Sequence, residues 1–247
     1  MNSEEIKKKG DLILGNVSIN CVVFGFNKGD LKVLLTKWPD FESHMLPGGF
    51  VYKHEHLNDA VTRVLYERTG VKDIYLKQFE VFGDSSRMFE DVFKKHFRIP
   101  ETEVVENPWF ARRYISIGYY ALVDYTMVEP TPEGDAEMCM WKDAENCPEL
   151  SFDHQLIFES ALRSLRYDFL TQHIGLKLLP ETFTMSQVQE LYESFLKTTF
   201  VRSNFQRKML NLGILERMEK QVIKKPHKAP FLYSFRPDWT ENYHLFI

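Results

Sequence analysis

The chain has 247 residues, 44% hydrophobic and 27% charged, ordinary soluble globular usage at a length that suits one or two domains. No apolar run approaches the ~20 residues of a membrane-spanning helix, and the opening MNSEEIKKKG is charged where a secretory signal is apolar. The net charge of −4 divides unevenly: residues 161–247 carry 13 Lys+Arg against 8 Asp+Glu, residues 1–160 carry 18 against 27, and an acidic body with a basic end suggests an anionic partner for that end. Cys21, Cys139 and Cys147 form no CxxC; they suit a reducing cytoplasm and neither a disulfide framework nor a zinc site.

In chain order, the β-rich runs 13–24 and 31–36 flank Asn27-Lys28-Gly29-Asp30 and predict a hairpin. Pro47-Gly48-Gly49 is a turn. Residues 55–69 predict a helix, with Leu57, Ala60, Val61, Val64 and Leu65 near helical spacing. Residues 74–82 read as strand, 94–111 as an inserted loop without a period, and 114–125 as the strongest strand. A helix over 154–172 follows Ser151-Phe152-Asp153, and Ser151 or Asp153 caps it. That is a blander assignment than catalysis by Asp153-His154. Thr184 and Gln187 predict a capping box, and Val188, Leu191, Tyr192 and Phe195 an amphipathic helix behind it. Phe205, Met209 and Leu212 mark a second helix, closed by Gly213. Strands over 214–218 and 231–235 enclose the basic, proline-punctuated stretch Lys220–Pro230. Helix, turn, helix, strand, basic loop, strand is the order of a winged helix-turn-helix.

Gly49, Glu55, Arg63, Glu67 and Gly70 stand 6, 8, 4 and 3 residues apart. These spacings, with Leu65 and Val71, resemble the Nudix box, G-x5-E-x7-R-E-U-x-E-E-x-G-U, where U is bulky and apolar. In active members the glutamates on one face of the box helix bind divalent cations, which need hard oxygen ligands. Here the three positions hold Val64, Glu67 and Arg68. One carboxylate remains, beside a guanidinium that repels a dication. The box is expected to be a scaffold, with Arg63 and Glu67 paired along the helix and no metal or other cofactor bound.

On the second C-terminal helix, Ser203, Arg207 and Asn211 fall opposite Phe205, Met209 and Leu212, flanked by Asn204, Gln206 and Lys208. Arg reads guanine and Asn or Gln reads adenine by paired hydrogen bonds, while Arg202 lies where it can reach phosphate. Lys224, Lys225 and Lys228 of the basic stretch suit a wing that follows the DNA backbone.

Together the two parts resemble the Nudix-related transcriptional regulators. FGDSSR (82–87) and SIGYYALV (116–123) match the sensor part; LLPETFTMSQVQELYESFL (178–196) and NFQRKMLNLGIL (204–215) match the DNA-binding part. The resemblance implies an α/β chain: a Nudix-like α/β/α sandwich with a mixed sheet over 1–153, a linking helix over 154–177, and a winged helix over 178–247. It implies a cytoplasmic homodimer, a double-stranded DNA operator, and a small-molecule effector that alters DNA affinity without catalysis. Some branches respond to ADP-ribose and govern NAD metabolism; others accompany pentose catabolism. The acidic sensor part and the broken metal face favour a repressor of sugar catabolism with a neutral pentose, such as L-arabinose, as effector. Lys37, Trp38, Asp40, Glu42, Phe50, Trp109, Arg112 and Tyr114 are then the candidate contacts. The alternatives are a regulator responding to ADP-ribose and a hydrolase of nucleoside diphosphate derivatives. The hydrolase needs Glu55, Glu67, Glu80, Glu101, Glu103 or Glu106 to rebuild its site.

Overall fold

The computed structural model describes residues 3–39, 41–70, 75–100, 108–132, 138–220 and 230–236, without the side chains of residues 3, 68, 69, 219 and 220. Backbone contacts divide the chain into two units, residues 1–25 with 32–166, and residues 26–31 with 167–247.

In the first unit, strand β1 (Ile13–Asn27) runs through eight consecutive buried positions, the mark of a strand covered on both faces. It lies between β5 (Ile115–Val123), with which it pairs in parallel, and β2 (Asp30–Lys37). Strand β4 (Tyr75–Phe82) adds antiparallel to β5, β6 (Met138–Asp143) antiparallel to β2, and β3 (Gly48–Tyr52) antiparallel to β1. The sheet is therefore mixed. Helix α2 (Leu57–Thr69) buries Ala60, Val61, Val64 and Leu65 against Ile19, Cys21 and Val23 of one face. On the alternate residues, Phe24 meets Phe158 of helix α4 (His154–Thr171), which makes an α/β/α sandwich. Tyr120 is buried beside Phe24 in this core.

Two helices differ from the expected plan. Helix α1 (Ser3–Leu12) precedes β1, and helix α3 (Glu90–Phe97) occupies part of the stretch expected to be loop. A 3-10 turn, Trp109–Ala111, follows. The stretch lacks a clean period because α3 has no fully buried residue: its Phe93 and Phe97 pack from the side on a small cluster of Ile6, Ile13, Trp109 and Phe110. The linking helix is also shorter than expected. Helix α4 ends at Thr171 and a separate 3-10 turn, Ile174–Leu178, continues the chain.

The second unit is built on helices α5 (Met185–Leu196) and α6 (Arg202–Asn211) and a three-stranded sheet. In that sheet β9 (Phe231–Phe235) lies between β7 (Phe183–Thr184) and β8 (Leu215–Lys220), antiparallel to both. The capping box forms: the Thr184 hydroxyl accepts from the Gln187 amide at 3.3 Å, and the Gln187 side chain accepts from the Thr184 amide at 2.8 Å. Phe169 stacks on Phe195, 3.7 Å between ring centroids and nearly coplanar. Gly175 permits that core, because a β-carbon there would stand 2.1 Å from Phe169. This is a winged helix-turn-helix, and Gly213 takes the left-handed conformation (φ 70°) after the second helix.

Candidate functional site

The charges of the box meet on one hub. Arg63 donates to both Glu55 oxygens, at 2.9 and 3.0 Å, and to the Phe50 carbonyl at 2.9 Å. Its remaining nitrogen reaches Glu67 at 3.4 Å, and its guanidinium lies 4.2 Å from the Tyr52 ring centroid. Burial raises the Glu55 pKa, but the hydrogen bonds from Arg63 and the Tyr52 amide, with the Arg63 charge, carry it below the usual carboxylate range. The expected Arg63–Glu67 pairing is present but is the weaker arm; Glu55 takes the bidentate contact.

Val64 is 2% exposed and seats against the backbone of Gly49, where a β-carbon would stand 2.6 Å from its Cγ2. A branched apolar side chain thus fills this position of the box helix. Glu67 is already engaged by Arg63. Glu80 accepts from Ser160 and Glu55 is committed to Arg63. Glu101, Glu103 and Glu106 lie outside the described residues, as does the Arg68 side chain. Among the described residues no cluster of three or more His, Cys, Asp or Glu could hold a metal ion. The donor set does not fit the divalent cations that Nudix chemistry employs.

Beside this helix lies a cavity of about 580 Å³, a size that suits a nucleotide or smaller ligand. Of the candidate contacts, Trp38, Phe50, Trp109, Arg112 and Tyr114 line it; Lys37 and Glu42 do not, and Asp40 lies outside the described residues. Among the described residues the charged lining is Lys9, Arg63, Arg87, Arg98, Arg112 and Glu67, one carboxylate against five cations, of which Arg63 is paired with Glu55 and Arg87 with Asp153. Lys9, Arg98 and Arg112 are exposed, so they meet solvent and ligand together. Lys9 of α1 sits 5.3 Å from the Trp109 ring centroid. An acidic unit therefore encloses a basic cavity: net charge counts the whole surface, whereas a ligand feels the nearest groups.

One wall is a polar cluster. The Leu46 amide donates to His154 Nδ1 at 3.0 Å, and the side-chain amide of Asn20 lies 3.0 Å from Nε2. It is the Asn20 Nδ2 that faces Nε2, and the ring tautomer sets which of the two donates. Burial, and then the Arg87 charge, pushes the His154 pKa down to about 3. Arg87 is 5% exposed; it donates to the Phe82 carbonyl at 2.8 Å and to Ser116 at 3.1 Å, and pairs with Asp153 at 3.3 Å. Asp153 does stand where α4 begins, its carbonyl accepting from the Ile157 amide, but its carboxylate faces Arg87. His154, Asn20 and Arg87 were not among the sequence candidates. Their only local signals are the FGDSSR run and the helix start at 154, and both read as structural until the fold brings residues 20, 46, 87 and 154 together.

In the second unit, α6 buries Phe205 and Met209. Arg202, Ser203, Asn204, Arg207, Lys208 and Asn211 are exposed and Gln206 is half-buried. Leu212, expected in the core, is 41% exposed, because the helix ends at Asn211. Arg207 donates to the Asn204 side chain at 3.3 Å, which aligns the two on the free face. The turn between α5 and α6 is fastened by a clasp that the sequence pattern does not announce: Glu193 accepts from the Phe200 amide at 2.7 Å and from Gln189 at 2.8 Å, while Gln189 donates to the Phe200 carbonyl at 2.9 Å. Lys224, Lys225 and Lys228 lie outside the described residues.

Residues 16–157 match the NUDIX domain, and residues 175–235 match the NrtR DNA-binding winged helix domain. The chain is similar to the ADPR responsive transcriptional repressor NtrR of Acinetobacter baylyi, 24% identical over 92% of this chain and 85% of that protein. Among solved structures it resembles Shewanella oneidensis NrtR complexed with a 27mer DNA, with a TM-score of 0.64 and 24% identity over 91% of this chain and 95% of that one. It also resembles a MutT/nudix family protein from Enterococcus faecalis, with a TM-score of 0.62 and 21% identity over 90% and 88%. These two likenesses concern the fold.

Proposed function

The chain belongs to the NUDIX family and carries a C-terminal NrtR-type winged helix, and from that premise we propose that it is a transcriptional repressor whose Nudix unit senses a ligand instead of hydrolysing one. The observation that carries this reading is the pairing, in one chain, of a polar, solvent-facing second helix in a winged helix with a Nudix box whose metal position is a buried valine. Ser203, Arg207 and Asn211 are the base-reading candidates, with Arg202, Asn204, Gln206 and Lys208 around them and Lys224, Lys225 and Lys228 as wing contacts to phosphate. We place the protein in the cytoplasm as a homodimer on a two-fold symmetric operator, so that two reading helices meet two half-sites. Among the described residues no helix is long and apolar enough to cross a membrane.

For the effector we take an ADP-ribose-class ligand over a pentose. The case for a neutral sugar rested on an acidic unit and a broken metal face. The cavity lining answers the first point, with five cations to one carboxylate among the described residues. The second bears on hydrolysis and leaves diphosphate binding untouched, since arginine and lysine bind phosphate without a metal. The Acinetobacter baylyi relative is described as ADPR responsive, and none of the relatives named above is described by a sugar.

The test is electrophoretic shift of DNA from upstream of the protein's own coding sequence, at low salt, with ADP-ribose and with L-arabinose. We expect a shift that ADP-ribose changes and arabinose does not. A folded dimer that shifts no such DNA sinks the regulator reading, and release by arabinose alone restores the pentose. Magnesium-dependent release of AMP from ADP-ribose, abolished in Glu67→Gln, would overturn the assignment of sensor over hydrolase.

A further inference from the structure

Within the cavity, the indole of Trp38 is stacked face to face with the imidazole of His96, 3.5 Å between centroids and 15° between planes. Among the described residues of the first unit, this is the closest ring pair. Phe41, Phe93 and Phe152 meet the same indole at 5.3, 5.9 and 6.4 Å, all edge-on. Among these rings His96 lies nearly parallel to the indole and the three phenylalanines do not.

His96 belongs to α3, the inserted helix. The helix has no fully buried residue, its packing is aromatic and lateral, and its ends are a residue without a side-chain cap and a left-handed Arg98. An eight-residue helix of this kind is marginal by itself. Its ring contacts with the indole are made by Phe93 and His96, neither of them fully buried. Trp38, by contrast, follows directly on strand β2, in the rigid part of the unit.

We propose that the Trp38 face is the platform for the purine base of the effector and that His96 holds that place until the ligand arrives. Imidazole has the shape and the ring nitrogens of the five-membered half of a purine, so the stack that His96 makes is the one a purine would make with more overlap. Displacement of His96 moves α3, and α3 carries Arg98 at its end, a cation of the same cavity. Base recognition and the charge around the diphosphate are thereby linked through one short helix.

This inference rests on the ADP-ribose reading, and the two fail differently. Affinities of the full chain for ADP-ribose and for ribose 5-phosphate, measured by calorimetry, separate base from sugar phosphate. We expect Trp38→Leu to weaken ADP-ribose by roughly tenfold or more, the scale of one base–aromatic stack, and to leave ribose 5-phosphate unchanged. Trp38→Phe should recover part of the loss, which distinguishes a lost stack from a damaged fold. His96→Ala, on the half-buried helix, should tighten ADP-ribose by removing the competitor. Equal weakening of both ligands by Trp38→Leu, or weaker ADP-ribose binding by His96→Ala, overturns the platform while the effector reading stands. A wild-type chain that binds neither ligand overturns both.

Discussion

Val64 shows how one side chain settles what a whole motif can do. The helix, the glycines and the Arg63 hub of the Nudix box are in place, and on the same helix Val64 is packed on Gly49. Restoring the carboxylate with Val64→Glu sets a charged group against backbone in an apolar cluster. We expect a loss upwards of roughly 2 kcal/mol, read from urea unfolding, and no gain of metal-dependent hydrolysis. His154 supplies a pH prediction on the same scale. Its folded pKa, lowered to about 3 by burial and then by Arg87, lies below the 6.5 of a free histidine. Below pH 6.5 the unfolded chain therefore takes up a proton that the folded ring refuses. Its contribution is complete above about pH 6.5 and is lost as pH falls from there toward 3. The ring keeps contact with the cavity, so the slope should be a fraction of one proton's, itself about 1.4 kcal/mol per pH unit. His154→Gln should flatten unfolding free energy between pH 6.5 and 4; an unchanged profile would remove His154 from the account.

At the scale of elements, α6 and the wing make separable predictions. If Arg207 reads a base, Arg207→Ala should cost roughly 1–3 kcal/mol of operator affinity and relax the preference at one position. Lys224→Ala and Lys225→Ala should weaken all sequences alike and flatten the dependence on salt. Anisotropy titrations on operator and scrambled DNA at several salt concentrations distinguish the two classes. Equal behaviour would reverse the assignment of reader and wing. The Glu193–Gln189 clasp on Phe200 bears on α6 directly, because it sets the turn from which that helix starts. A reading face is useful only if the helix that bears it is aimed.

For the molecule as a whole, the division into two units predicts how an effector will register. ADP-ribose at 100 times its dissociation constant should stabilise the unit that holds the cavity by about 2.7 kcal/mol. In a calorimetric scan the transition of that unit should rise, and the transition of the winged helix should move only as far as the two are coupled. L-arabinose should raise neither. A ligand that stabilises the cavity unit yet leaves DNA affinity unchanged would bind both states equally and could not regulate.

Local rules made much of this protein legible in advance. The spacing from Gly49 to Gly70, the period of α5, the Thr184–Gln187 box and the order of helices and strands after residue 183 all depend on neighbours within a few turns, and all of them form. Helices α1 and α3 were not legible, because their apolar residues pack on a cluster assembled from residues 6, 13, 93, 97, 109 and 110, with no period along the chain. The acidic composition of the unit does not give the charge of its cavity, for the same reason. Lys9, Arg63, Arg87, Arg98 and Arg112 are scattered through an acidic sequence, and only the folded sheet and its two added helices gather them around one space. By itself the sequence determined the two folds, since they are written in short-range pattern. The tertiary structure alone decided the chemistry of the cavity, since a ligand responds to the groups within a few ångströms whatever their distance along the chain.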